Sequence, residues 1–288
     1  MEKNIEFLKH LDPSKYKHAA NYLQKFNTYD RLNSVQKKAL NSLLPEYISY
    51  IKAISKIKKY GSKEIVIMTD LLNKYFDFIF NNNYDNVFTA QSKFRPTIME
   101  EFMFIVFSNL ISDIKVEIND TENKLMIGGA KAYSNLFFYA KNLQNFVNEP
   151  LIGVNQKDQD FAIYRPITLH IENNNKISTN IPIAAIENKT YIDKTMLEGS
   201  IATAEKIKSG NPYSLFLIVT ETYEVDLSVD PAYSRIDQIY VLRKCKRKDG
   251  RKPINSDVVL ELFNNVNYHL NRSWSDIESK MKKTGTII

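Results

Sequence analysis

Cysteine is all but missing from this chain. Cys245 stands alone, which excludes an intramolecular disulfide and any cysteine-based zinc site. Histidine is also scarce: the four, at positions 10, 18, 170 and 269, share no metal-ligand spacing, so nucleases built on a histidine base fit poorly. The 8 glycines include no GxxxxGK(S/T) loop, which argues against an NTP-driven motor. No apolar run approaches the roughly 18 residues of a membrane span. The opening MEKNIEFLKHLDPSK lacks the apolar core of a signal peptide, so a cytoplasmic location is expected.

What is present describes a folded globular chain. Across 288 residues, 43% are hydrophobic and 25% charged, with 17 Tyr and 16 Phe; such a chain buries a core without covalent staples. The net charge of +6 and a pI of about 9.0 lean towards a polyanionic partner.

Apolar spacings of three and four predict helices over SKYKHAANYLQKF, SVQKKALNSLLPEYISYIKAISKI and EIVIMTDLLNKYFDFIF, with a break or bend at Pro45. Residues 1–90 therefore read as a helical N-terminal region, its lysines mostly on outer faces, and 91–288 as a second domain with a basic C-terminal segment. From Thr97 a capping box with Glu100 opens an apolar helix to about residue 112, carrying Glu100 and Glu101, the latter expected to be exposed. Gly128-Gly129 reads as a turn, and a further helix is expected over about 130–147. LIGV at 151–154 is a short strand, Asp158–Asp160 a turn, and FAIYRPITLHI the strand after it. Asn173–Asn175 is the next turn.

The stretch IPIAAIENKT, 181–190, is the strand on which the rest depends. Side chains alternate with period two, so Glu187 and Lys189 share a face with Ile183 and Ala185, while Ala184, Ile186 and Asn188 take the other. Such a pair also serves as a plain ion pair where a strand surfaces, so its surroundings decide. Thr195 to Glu198 suggests another capping box, and the helix it opens stops at Gly210. SLFLIVT at 214–220 is a buried strand. Strand, helix and buried strand make a βαβ crossover, hence a parallel pair. The fold class is α/β (or α+β), a mixed central sheet flanked by helices.

Asp160, Glu187, Lys189 and an acid of the 97–112 helix come from separated pieces that could converge. Two carboxylates with water or backbone oxygens suit Mg²⁺, and a lysine beside them can orient an attacking water, which is what metal-assisted phosphodiester hydrolysis requires. Asp160…Glu187-x-Lys189, set in the order helix, strands, helix, strand across roughly 97–221, resembles the PD-(D/E)XK nucleases, and among them the type II restriction endonucleases. Gln159 stands where the motif has proline, and Asp158 contends for the first acid's place. IENKTYIDKTMLEGS is similar to a group that cuts interrupted sites of the CTNAG type.

The resemblance implies a restriction-endonuclease-like core and a Mg²⁺-dependent endonuclease acting on double-stranded DNA. Asp160 and Glu187 would be metal ligands, Lys189 would position the water, and Glu100 would be the helix acid, with Glu101 its rival. It also implies 5′-phosphate products and, since one chain offers one site for two strands, a homodimer or a heterodimer with a similar subunit. The alternatives are a repair or junction-resolving nuclease of the same superfamily and a non-catalytic DNA-binding protein. In the basic block after DQIYVL, phosphate contact and a solvated face are equally open. Arg235, Gln238 and Arg243 have side chains suited to base edges. Asp193 reads as a cap or turn residue, and Trp274 as packing for the last helix.

Overall fold

The computed structural model describes residues 2–88, 93–170 and 176–287. Five helices come first: α1 (Glu2–Lys9), α2 (Lys17–Asn27), α3 (Ser34–Ile54), α4 (Ser62–Asn81) and α5 (Pro96–Glu117). Then come β1 (Met126–Tyr139), the short α6 (Leu143–Asn148), β2 (Leu151–His170) and β3 (Lys176–Ile192). The chain ends with α7 (Lys194–Gly210), β4 (Leu215–Tyr223), β5 (Gln238–Val241), α8 (Ser256–Asn271) and α9 (Ile277–Thr284).

The sheet is mixed, in the spatial order β1-β2-β3-β4-β5. β1, β2 and β3 run antiparallel in turn, whereas β3–β4 and β4–β5 are parallel. Alternation divides the core. Ala184, Ile186, Leu217 and Val219 face a large cluster that takes in α1 to α5 and α8. Ala185, Phe216 and Ile218 face a smaller one made with Leu197, Ala204 and Ile207 of α7. A Cβ on Gly210 would come within 2.1 Å of the Ser134 carbonyl oxygen, so only glycine lets the end of α7 lie on β1.

Several expectations give way to long-range pairing. The region around Gly128-Gly129 is strand rather than turn, and the helix expected over about 130–147 is strand as far as Tyr139, followed only by α6. Asp158–Asp160 is likewise inside β2, with Asp158 opposite Lys131 and Gln159 opposite Ala130. In each case a distant strand supplies the backbone hydrogen bonds that a local turn or helix would otherwise have to make. The turn at Asn173–Asn175 lies outside the described residues.

α3 runs unbroken through Pro45. The lost rung is offset by Leu43, Leu44, Tyr47 and Ile48, all buried around it. Ile183 does not share the face of Ala185. A register shift between β2 and β3 falls there, and Ile183 packs against the larger cluster instead.

Neither expected capping box forms. α5 starts at Pro96 with no side-chain cap, and the Thr97 hydroxyl donates to the Phe94 carbonyl. α7 is capped by Asp193, whose Oδ1 accepts from the Met196 N–H at 2.9 Å, in line with the cap or turn reading of that residue.

Candidate active site

Asp160 sits where β2 parts from β3. The last rung between them is Phe161–Ile186, and beyond it Asp160 Oδ2 accepts from the Asn188 N–H at 2.9 Å. On the other side β2 bulges against β1. Between the pairs Gly128–Ala162 and Ala130–Gln159, Asp160 and Phe161 stand opposite Gly129 alone, and Gly128 takes φ +130, a conformation that favours glycine. A bulge frees a strand from its ladder and redirects its side chains. Gln159 is buried while Asp158 is exposed, so it is Asp160, not Asp158, that turns inward beside β3.

Glu187 is buried to 9% exposure. Its Oε2 accepts from Ser200 Oγ at 2.6 Å and lies 3.4 Å from Lys189 Nζ. Lys189 keeps 31% of its side chain exposed, enough to meet a ligand. Ser200, on α7, was not singled out from sequence; a serine mid-helix carries no signal until the helix is laid on the strand.

The two glutamates of α5 part company. Glu100 faces the site. Burial, then the charge of Asp160, push its carboxyl up to about 7, against the pull of Lys17, Lys93 and Lys189. Asp160 is also raised, by burial first, with Lys189 and the Asn188 N–H acting the other way and Glu187 adding to the rise. Glu100, Asp160, Glu187 and Lys189 thus share one electrostatic neighbourhood, and Lys17 and Lys93 join it unforeseen.

Glu101 faces away from the site and is buried, not exposed. Its Oε2 accepts from the backbone N–H groups of His18 at 2.9 Å and Ala19 at 3.2 Å, and the Tyr47 hydroxyl donates to its Oε1 at 2.8 Å. Those two N–H groups belong to the first turn of α2, which has no cap of its own. Glu101 caps that helix from a distance and so sets Lys17 beside Glu100.

Among the described residues, no three Asp, Glu, His or Cys side chains stand together closely enough to grip a metal ion as they lie. The donor chemistry nonetheless fits a hard divalent cation. The site offers carboxylate oxygens only, and two of them are raised by burial and mutual repulsion, a cost that a cation would relieve.

The Glu100 shift makes a prediction. Between pH 4.5 and about 7 the folded state holds a proton on this carboxyl that the unfolded state has released. Its contribution to stability is therefore present below 4.5 and lost as pH rises through about 7. Glu100→Gln removes that loss, so the variant should gain on the wild type in melting temperature, by a few degrees, as pH goes from 5 to 8. A difference that stays flat across the range would refute the burial of a titrating Glu100.

The sequence model of the family described as Bpu10I restriction endonuclease matches residues 91–251. No curated protein sequence matches the chain. A solved structure described as the native BbvCI A2B2 tetramer at low resolution is similar in fold, with a TM-score of 0.64. The identity is 19%, over 89% of this chain and 96% of that one.

Proposed function

The chain belongs to the Bpu10I restriction endonuclease family, whose match spans more than half its length, and from that premise we propose a Mg²⁺-dependent type II enzyme of the PD-(D/E)XK kind. It cuts both strands of DNA at a short specific sequence of the CTNAG type and leaves 5′-phosphates. The observation that carries this reading is the meeting of Asp160, Glu187 and Lys189 at the mouth between β2 and β3, with Glu100 facing them from α5. The division into a helical region, 1–90, and a catalytic domain, 91–288, belongs to the same proposal, as does a cytoplasmic location. No helix among the described residues is long and apolar enough to cross a membrane.

Asp160 and Glu187 would hold the metal, with Glu100 as the additional acid. When bound, the ion polarises the phosphate and makes water a better nucleophile. The chain's own groups do the rest. The Asn188 N–H fixes Asp160, and Ser200 fixes Glu187. Lys189, next to Glu187, directs the water by hydrogen bonding and offsets the charge that grows on the phosphate. Lys17 and Lys93 draw the anionic strand into the mouth.

One site per chain and two strands to cut require two copies of the chain or a second, similar subunit. Around the β1–α6–β2 turn, Phe138, Tyr139, Leu143, Phe146 and Val147 are exposed, an apolar end suited to such a contact; the similar solved assembly is described as a tetramer of two kinds of subunit.

The test is digestion of a long unmethylated DNA of known sequence, with Mg²⁺ and with EDTA, by protein whose mass in solution is measured beside the 33.5 kDa of one chain. Discrete fragments formed only with Mg²⁺, by a species of twice that mass or after a similar subunit is added, are expected. A smear would point to a repair or junction-resolving nuclease. DNA bound but never cut in either preparation would favour a non-catalytic DNA-binding protein.

A further inference from the structure

A cleft of 370 Å³ opens beside the site, between the start of α5, the end of β3 and the segment after β5. Arg95, Arg243, Arg247 and Arg251 line it, with Tyr191 and Phe80 as walls. Two of the three elements that carry the catalytic candidates, α5 and β3, thus line the cleft. Tyr191 is two residues beyond Lys189 on the same face of β3, and Pro96 is one turn before Glu100 on α5.

Most of these guanidinium groups are held in place before any ligand arrives. Arg247 stacks 4.0 Å over the Tyr191 ring and Arg251 4.0 Å over Phe80. Glu221, with no exposure, takes Arg95 Nη2 at 2.9 Å and Arg243 Nε at 2.8 Å on a single oxygen. One carboxylate between two guanidinium ions leaves a positive charge over. The remaining pairs are looser or more open to solvent: Arg247 Nε lies 3.7 Å from Glu224, and Arg251 pairs with the half-exposed Asp77. Asp85 also lines the cleft and sets a limit on its positive charge.

Arg243 is 3% exposed, so it is scaffold and not the reader of base edges that its side chain suggests. Among the described residues of the cleft, Arg95 Nε and the Thr222 hydroxyl are buried donors with no acceptor. Stacked guanidinium forks beside unspent donors suit a phosphate. Two residues of strand advance about 6.6 Å, against a rise of about 3.4 Å per nucleotide of a DNA strand. The next phosphate or two along a strand cut at Lys189 therefore falls within reach.

We propose that this cleft grips a backbone phosphate of the cut strand, one or two nucleotides from the scissile bond, through Arg247 and Arg251. This rests on the reading of the chain as a DNA-cutting enzyme, and it makes the contact one of position, blind to sequence.

The experiment is equilibrium binding of the full chain to a mixed-sequence duplex in EDTA, across a series of KCl concentrations. Arg247→Ala and Arg251→Ala should each weaken binding about tenfold. Each should also lower the slope of log K against log salt by about 0.9. Glu224→Gln and Asp77→Asn, which release the same two arginines, should bind as tightly as the wild type or more so. If the arginine variants keep wild-type affinity and slope, the cleft holds no phosphate, although DNA binding itself stands. If all four variants weaken binding alike, the pairs are structural and the proposal fails. A wild type that binds no duplex at any salt would remove the DNA reading, and this inference with it.

Discussion

Lys189→Ala is expected to slow DNA cleavage by a factor of about 10³ while leaving duplex binding within a few-fold of the wild type. The amine stands 3.4 Å from a buried carboxylate oxygen and keeps a third of its side chain open to solvent. It is therefore placed to act on a water or a phosphate oxygen held near Glu187. Truncation removes that donor and its charge but leaves Asp160 hydrogen-bonded to Asn188 and Glu187 to Ser200. A group needed in the transition state changes the rate more than it changes binding. The measurement is single-turnover cleavage of plasmid at saturating Mg²⁺, alongside affinity in EDTA. Cleavage at the wild-type rate would show that Glu187 and Lys189 are only an ion pair at a strand end.

Stability should suffer most at a residue one position from the site. Glu101→Ala leaves the His18 and Ala19 N–H groups and the Tyr47 hydroxyl without their acceptor. At about 1 kcal/mol for each lost hydrogen bond, the cost is about 3 kcal/mol, a fall in melting temperature of roughly 5–10 °C.

Glu101→Gln keeps an acceptor oxygen and should lose less than half as much. Burial already pushes the Glu101 carboxyl up to about 7, so the neutral amide fits best where the carboxylate is least comfortable, above that pH. Thermal melts of both variants at pH 8 decide the matter. An alanine variant that melts with the wild type would mean that α2 is held to α5 by its apolar contacts alone.

The network around Glu101 explains why the helical region matters to the site. Thr97 Oγ1 gives its proton to the Phe94 carbonyl and so accepts from His18 Nδ1 at 2.9 Å. His18 Nε2 is then the acceptor for the Tyr75 hydroxyl, and the ring is neutral. Burial agrees with that, holding its pKa down to about 3. α2, α4 and the first turn of α5 are thereby locked in register, which sets the direction in which Glu100 points.

Much of this protein was legible in the order of its residues. The long N-terminal helices, the buried strand β4 and the parallel β3–β4 pair all follow from apolar period. So does the pairing of Glu187 with Lys189 on one face, which needs only the alternation of a strand. The long β1–β2 hairpin was not legible. Its partners are distant in sequence, and glycines and asparagines that punctuate a loop elsewhere here lie within extended strands or at a bulge. The two acids of α5 were adjacent on paper, with Glu100 only narrowly preferred. Only the packing of α2 and the sheet on opposite sides of that helix sent Glu101 inward to cap one element and Glu100 towards Asp160. Local periodicity is written in neighbouring residues, whereas the direction of a carboxylate is decided by whichever distant groups fill the space around it.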